Sequence, residues 1–419
     1  TVMAWGRNTF GELGNGNNNI SKVPVYVNSL TGITAISGGR YHSLALNTNG
    51  TVWAWGRNVD GGLGNGTLID SNIPVQVSNL SGIIVIKGGE EYSVALKDDG
   101  TVWCWGGNEN GQLGNGNTTN SNIPVIVNSL TGIIAIASGN NHVIALKNDG
   151  TVWTWGWNAY GQLGNGNTNN SSVPVPVVSL SGITGITAAA SSSYAIKSDG
   201  TVWSWGYNTT GELGIGNSTH KSIPVQVSLV TGITHIEGGS NFCIARKSDG
   251  TVWSWGSNSD GQLGIGNNTA SNVPVQVNII SGITVIATGW YHCIAQKNDG
   301  TTWIWGDNSG GQLGNNSTTD SKEPIQTTGL CEVLTSTEEI VIENLVSVYP
   351  NPIDGFVTIE SRNGNLGTSY VILNSAGQQI LSGQLIGARS NVNVSHLSKG
   401  IYLIQIGETE KQTFKLIKN

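Results

Sequence analysis

Apolar and polar residues alternate along most of this chain in short runs, broken by stretches rich in Gly, Asn and Asp. Alternation with a period of two marks half-buried β-strands, and the small polar residues supply the turns between them. The pattern returns every 50 residues: Trp-x-Trp-Gly begins at Trp53, Trp103, Trp153, Trp203, Trp253 and Trp303, and Met3-Ala4-Trp5-Gly6 is a seventh copy with one Trp replaced. The copy at 233–277 predicts four strands: A over Ile233–Glu237, B over Phe242–Arg246, C over Thr251–Trp255 and D over Val273–Val277. Ser248-Asp249-Gly250 joins B to C, Asp-Gly being a strong hairpin signal. Pro274 beside the start of D suggests an outer edge, where a missing N–H is harmless.

Four short antiparallel strands, repeated without helices, make the blades of a β-propeller. In strand C, Trp253 and Trp255 point to one side and Val252 and Ser254 to the other. Both sides of a blade face a neighbour, so the Trp pair is expected to pack across each inter-blade gap. The slot between the two Trp holds Ala4, Ala54, Cys104, Thr154, Ser204, Ser254 and Ile304, mostly small, as this packing requires. A buried Trp is worth roughly 4–6 kcal/mol as an upper bound. The repeated Trp therefore read as architecture rather than as a ligand cage.

These residues resemble the repeat of the regulator of chromosome condensation family. The matching motifs are Gly38-Gly39-Arg40-Tyr41-His42-Ser43-Leu44-Ala45-Leu46, and Asp249 through Asn258 followed by Gly261-Gln262-Leu263-Gly264. The resemblance covers residues 1 to about 327 and recurs seven times. It implies an all-β, seven-bladed β-propeller. There are seven C–D halves but six A–B halves, starting near 33, 83, 133, 183, 233 and 283. The first blade is therefore expected to be only half present, and the chain to be an N-terminally truncated piece that lacks an A–B hairpin and a signal peptide.

The repeat stops at Gly329. Residues 330–345 read as a linker, and 346–419 as a small C-terminal β-sandwich with strands at Phe356–Glu360, Tyr370–Leu373, Gln379–Leu385, Ile401–Ile406 and Thr413–Ile417. Asn374-Ser375-Ala376-Gly377 reads as a hairpin turn. The opening Tyr349-Pro350-Asn351-Pro352, the strand start Lys399-Gly400-Ile401-Tyr402 and the final Phe414-Lys415-Leu416-Ile417-Lys418 resemble the type A C-terminal sorting domain of the type IX secretion system. The resemblance implies a Bacteroidota-type protein, secreted or attached to the outer cell surface, whose residues 346–419 engage the export machinery.

Composition narrows the function. Charged residues are 11% of the chain, and the formal net charge is −7. With no Lys/Arg cluster, a nucleic-acid partner has no electrostatic footprint. No run approaches the ~18 apolar residues of a transmembrane segment. Cys104, Cys243, Cys293 and Cys331 lack metal-ligand spacing and read as small buried thiols. His42, His142 and His292 share one slot on separate blades, too far apart for a metal site. Asn8, Asn58, Asn108, Asn158, Asn208, Asn258 and Asn308 share another, expected to clamp a loop. No nucleophile–base pair, cofactor motif or metal cluster is legible.

Candidate binding residues come from comparing the copies. Strand directions place the A–B and C–D loops on one face and the Asp-Gly turns on the other. The Asp-Gly face hardly changes from copy to copy, whereas the loop face varies at fixed slots, and loops on rigid scaffolds are where function concentrates. Trp290 and Tyr291, Arg7 and Phe10, and Arg40, Tyr41 and Arg57 lie on neighbouring blades and predict one aromatic–basic patch. Glu90, Glu91 and Glu109 predict an acidic third blade, and Trp157, Tyr160 and Tyr207 a second aromatic patch. The leading expectation is a monomeric, non-enzymatic binding propeller for a protein or surface glycan. A structural adhesin or spacer without a defined partner is the alternative, and a polysaccharide-acting enzyme a third.

Overall fold

The computed structural model describes residues 1–327, 346–349, 355–361, 368–374, 378–407 and 412–418. The linker at 330–345, Gly329, Cys331, Pro350-Asn351-Pro352 and the turn residues 375–377 lie outside the described residues. The chain divides into two compact units, Thr1–Val333 and Leu334–Asn419.

The first unit is a ring of seven blades. Six are four-stranded antiparallel sheets in the order A-B-C-D, and the first holds only a C and a D strand, Met3–Gly6 and Ser21–Tyr26. In the sixth blade the strands are Ile233–Gly238, Phe242–Lys247, Val252–Gly256 and Ser271–Gln276. Strand D starts two residues before its predicted position, which puts Pro274 inside the strand. D is the sheet's edge, so the proline N needs no ladder partner. The D strands pair with C through a register shift, between Ser254 and Gly256 in this blade.

The core lies in the seams between blades rather than within any sheet. One cluster joins Tyr194, Val202 and Val227 of the fifth blade to Cys243, Ala245 and Trp255 of the sixth. Trp255 is fully buried there, with Trp253 half-buried against the same cluster. The indole N–H of Trp255 donates to the Glu212 carbonyl at 2.8 Å, on the preceding blade's C–D loop. The same bond recurs at every seam, for example Trp105 to Gly62 at 2.9 Å and Trp205 to Gln162 at 2.9 Å. Trp5 of the two-stranded blade donates to Gln312 of the seventh at 2.8 Å, and this closes the ring.

The repeated Gly-x-Leu-Gly loops serve this contact. Gly164 has φ +63°, and a Cβ there would stand 2.7 Å from the Trp205 indole nitrogen. The glycine thus both allows the left-handed turn and admits the neighbouring Trp. The Cys slots are explained the same way. Ser43, Ser93 and Ser193 donate to the carbonyls that receive the Trp indoles, and Cys293 occupies that slot with its Sγ 3.4 Å from Gln262 O. Cys104, Cys243 and Cys293 are buried free thiols.

The second unit holds two sheets, one built from Val346–Tyr349, Phe356–Ser361 and Arg389–Asn393, the other from Thr368–Asn374, Gln379–Leu385, Gly400–Ile406 and Gln412–Lys418. They share a core of Val357, Ile359, Ile372, Val392, Ile404 and Leu416. The strand Arg389–Asn393 went unread in the sequence because it is polar apart from Val392.

Removing one seam Trp should be costly. Trp205→Ala is expected to lower stability by about 3–5 kcal/mol, in the range of large-to-small core changes, and Trp203→Ala by less. Urea unfolding of the two variants checks the order.

Candidate functional site

Every A–B loop is tied to the C–D loop of its own blade. The amide of Trp157 donates to Asn141 O at 2.8 Å, Tyr207 to Ser191 O at 3.0 Å, and Arg57 to Tyr41 O at 2.9 Å. Within the C–D loop, Asn158 accepts from the Leu163 amide at 2.9 Å and donates to the carbonyls of Asn167 and Asn169 at 3.1 and 2.9 Å. The variable slots therefore sit on clamped backbone. On the opposite face each Asp-Gly turn is held by the Asp carboxylate, as where Asp199 accepts from the Thr201 amide and hydroxyl.

The first predicted patch is contiguous. The Arg40 guanidinium lies 4.1 Å from the Trp290 ring and 4.8 Å from the Tyr41 ring. Arg57 stands 5.3 Å from Tyr41 and 5.4 Å from Phe10, and Arg7 5.8 Å from Tyr41. Trp290 meets Tyr291 edge-on at 6.0 Å, as Phe10 meets Tyr41 at 5.7 Å. The acidic third blade, however, is not a separate patch. Glu90 pairs with Arg40 and Glu91 with Arg57, so two of the three guanidinium groups have carboxyl partners in place. Burial pushes the Glu91 carboxyl up to about 7, against the pull of Arg57. A cavity of about 640 Å³ lies where the A–B loops of six blades converge, with Trp5, Arg7, Arg40, Tyr41 and Trp290 in its wall.

The second patch is tighter and uncharged. Trp157 meets Tyr160 edge-on at 5.3 Å, and Tyr160 meets Tyr207 at 4.7 Å. A fourth ring, His220, stacks on Tyr207 at 4.9 Å and lies 4.9 Å from Tyr160. Sequence reasoning missed His220. In other copies its slot holds Asp70, Asn120, Asn170 and Asp320, whose side-chain oxygens accept the amide of the loop Asn. His220 does the same with Nδ1, accepting from the Asn208 amide at 2.9 Å, which leaves Nε2 as a donor. A ring in a slot that is Asp or Asn in four of the seven copies was the available signal, although Ile20 and Ala270 break the slot as well.

At His42 and His142 the shared His slot is structural, whereas His292 lies in the cavity wall. Ser93 gives its hydroxyl hydrogen to Gly62 O, so His42 Nε2 donates to Ser93 Oγ at 2.8 Å, and His142 makes the matching bond to Ser193 at 3.0 Å.

A family model for the RCC1-like domain matches residues 118–342, more than half of the chain. The chain belongs to the RCC1-like family. Models of the RCC1 repeat also match residues 1–46, 49–96, 33–61 and 83–112. A secretion system C-terminal sorting domain matches 347–419, which makes this RCC1-like propeller a type IX export substrate, secreted or held at the outer cell surface. Among solved structures, human WBSCR16 superposes with a TM-score of 0.71 at 23% identity, covering 78% of this chain and 93% of that one. Prp20p of Saccharomyces cerevisiae, reported with its binding to Gsp1p and histones, gives 0.72 at 23% identity over 78% and 86%. At these identities the likeness concerns the fold. Beta-agarase A of Zobellia galactanivorans is 33% identical over 78 residues, 18% of this chain and 14% of the agarase. The chain thus spans a small part of that relative.

Burial holds His42 near 4 and His142 near 3, below their ordinary 6.5. Between those values and 6.5 the unfolded chain binds more protons than the folded one. Stability is thus full above pH 6.5 and falls as pH drops towards 4. His142→Phe, matching Phe242 in the same slot, should lessen that slope in urea midpoints measured at pH 7.5 and 5.

Proposed function

We propose that this RCC1-like propeller is a secreted or surface-held binding module that takes a protein or glycan partner on its A–B/C–D loop face. Residues 1–329 form the binding part, 330–345 the linker and 346–419 the export signal of a Bacteroidota-type cell. The observation that carries the reading is the placement of ring side chains. Arg7, Phe10, Arg40, Tyr41, Arg57, Trp290 and Tyr291 form one contacting group, and Trp157, Tyr160 and Tyr207 another, both on the face that varies between copies. Trp, Tyr and Arg are the side chains that dominate binding energy at interfaces. Their loops are clamped, so little entropy is lost on binding.

RCC1-type propellers are typically binding or exchange proteins, and Prp20p is a precedent for a macromolecular partner, though not for its identity. Catalysis has little support: the three described thiols are pushed well above their ordinary range by burial, and His42 and His142 are committed to neighbouring serines.

The test is capture of proteins and glycans by the full chain and by a variant with Trp157, Tyr207, Trp290 and Tyr291 all changed to Ala. The variant is expected to bind at least tenfold more weakly. Equal capture by both would move the site to the opposite face, and capture by neither would support the structural-spacer reading instead.

A further inference from the structure

The second aromatic group differs from the first in its electrostatics. In the first, three guanidinium groups surround Tyr41, two with glutamate partners. In the second, no charged side chain forms an ion pair with or stacks on Trp157, Tyr160, Tyr207 or His220 among the described residues. The group sits across one blade seam. In the preceding seams the equivalent contact is a polar clamp, Asn120 to Asp60 at 3.0 Å and Asn170 to Asn110 at 3.2 Å. At the seam between the fourth and fifth blades, Tyr160 and His220 replace both partners of that clamp with rings. The loop slot after Trp-Gly, filled by Trp157 in the fourth blade and Tyr207 in the fifth, adds rings on either side of Tyr160. Four ring residues from three repeat positions thus converge on one seam.

From this arrangement, and resting on the binding role proposed above, we infer that the Trp157–Tyr160–Tyr207–His220 group is a platform for an uncharged glycan. The chemistry matches on three counts. Aromatic faces carry negative charge density and attract the weakly positive C–H face of a pyranose. Each ring also has a polar edge: the indole N–H, two phenol hydroxyls and the His220 Nε2–H. That combination of apolar face and hydrogen-bonding rim mirrors a sugar, apolar across its face and hydroxylated around it. The exposed loop residues alongside are Asn169, Thr209, Asn217 and Thr219, whose amides and hydroxyls both donate and accept. Finally, an uncharged platform offers no compensation to a polyanion, whose desolvated charges would stay unpaired. The rings brace one another, edge-on from Trp157 to Tyr160 to Tyr207 and stacked from Tyr207 to His220, so the surface is organised before the ligand arrives.

The experiment is affinity electrophoresis of the full chain in gels containing cellulose derivatives, xylan, laminarin or agarose, with alginate as the polyanion. The unmodified chain should be retarded by at least one neutral glycan, and Trp157→Ala and Tyr207→Ala should each weaken retention at least tenfold. Trp157→Phe should keep most of it, and Trp290→Ala, in the other group, all of it. Circular dichroism of each variant guards against misfolding. Retardation by none of the neutral glycans, retardation by alginate alone, or full retention in Trp157→Ala would overturn the inference. Should the glycans fail while a captured protein is lost in the fourfold variant, the broader binding role would stand and this one would fall.

Discussion

The indole of one blade, seated on the C–D loop of the blade before it, is the contact on which the rest of this propeller depends. It buries the largest side chains of the chain, satisfies the indole N–H, and repeats from Trp55 on the Glu12 carbonyl round to Trp5 on that of Gln312. Because the acceptor is a backbone carbonyl, the contact holds whatever side chain the loop carries, Glu12, Gly62 and Gln112 included. The loop that forms the seam is thereby the loop that displays the variable slots. Stability and variability are separated within one segment of chain: the carbonyl and the glycine serve the seam, and residues such as Trp157 and Tyr207 are left to other uses.

That separation explains why the fold was legible in the sequence. A repeat of fixed length with Trp-x-Trp-Gly, Asp-Gly and Gly-x-Leu-Gly in each copy states the strand order, the turns and the packing side many times over. The half blade at residues 3–26 was legible by counting halves, and the burial of Cys243 and Cys293 from a cysteine spacing that suits no metal site. The contacting groups on the loop face were legible too, because neighbouring copies are neighbouring blades. Trp290, Arg40 and Tyr41 fall together for that reason alone.

What stayed hidden depends on side-chain reach across seams. Glu90 and Glu91 looked like a separate acidic surface, yet each extends back to an arginine of the preceding blade. His220 sat in an Asn/Thr-rich loop and resembled filler until its slot was compared with Asp70, Asn120 and Asn170. The second duty of the loop glycines, making room for the next indole, is a three-dimensional fact that turn preferences do not contain. In the C-terminal unit, Arg389–Asn393 was missed because partnership with Phe356–Ser361 makes it a strand, not its own alternation.

The central claim is that partners meet the A–B/C–D loop face and not the Asp-Gly face. Hydrogen–deuterium exchange of the full chain, free and bound to whatever capture identifies, tests it most directly. The account predicts added protection in the loops around 157–160, 207–220 or 290–291, and none at the turns around 99, 149, 199 and 249. Protection confined to those turns would contradict it.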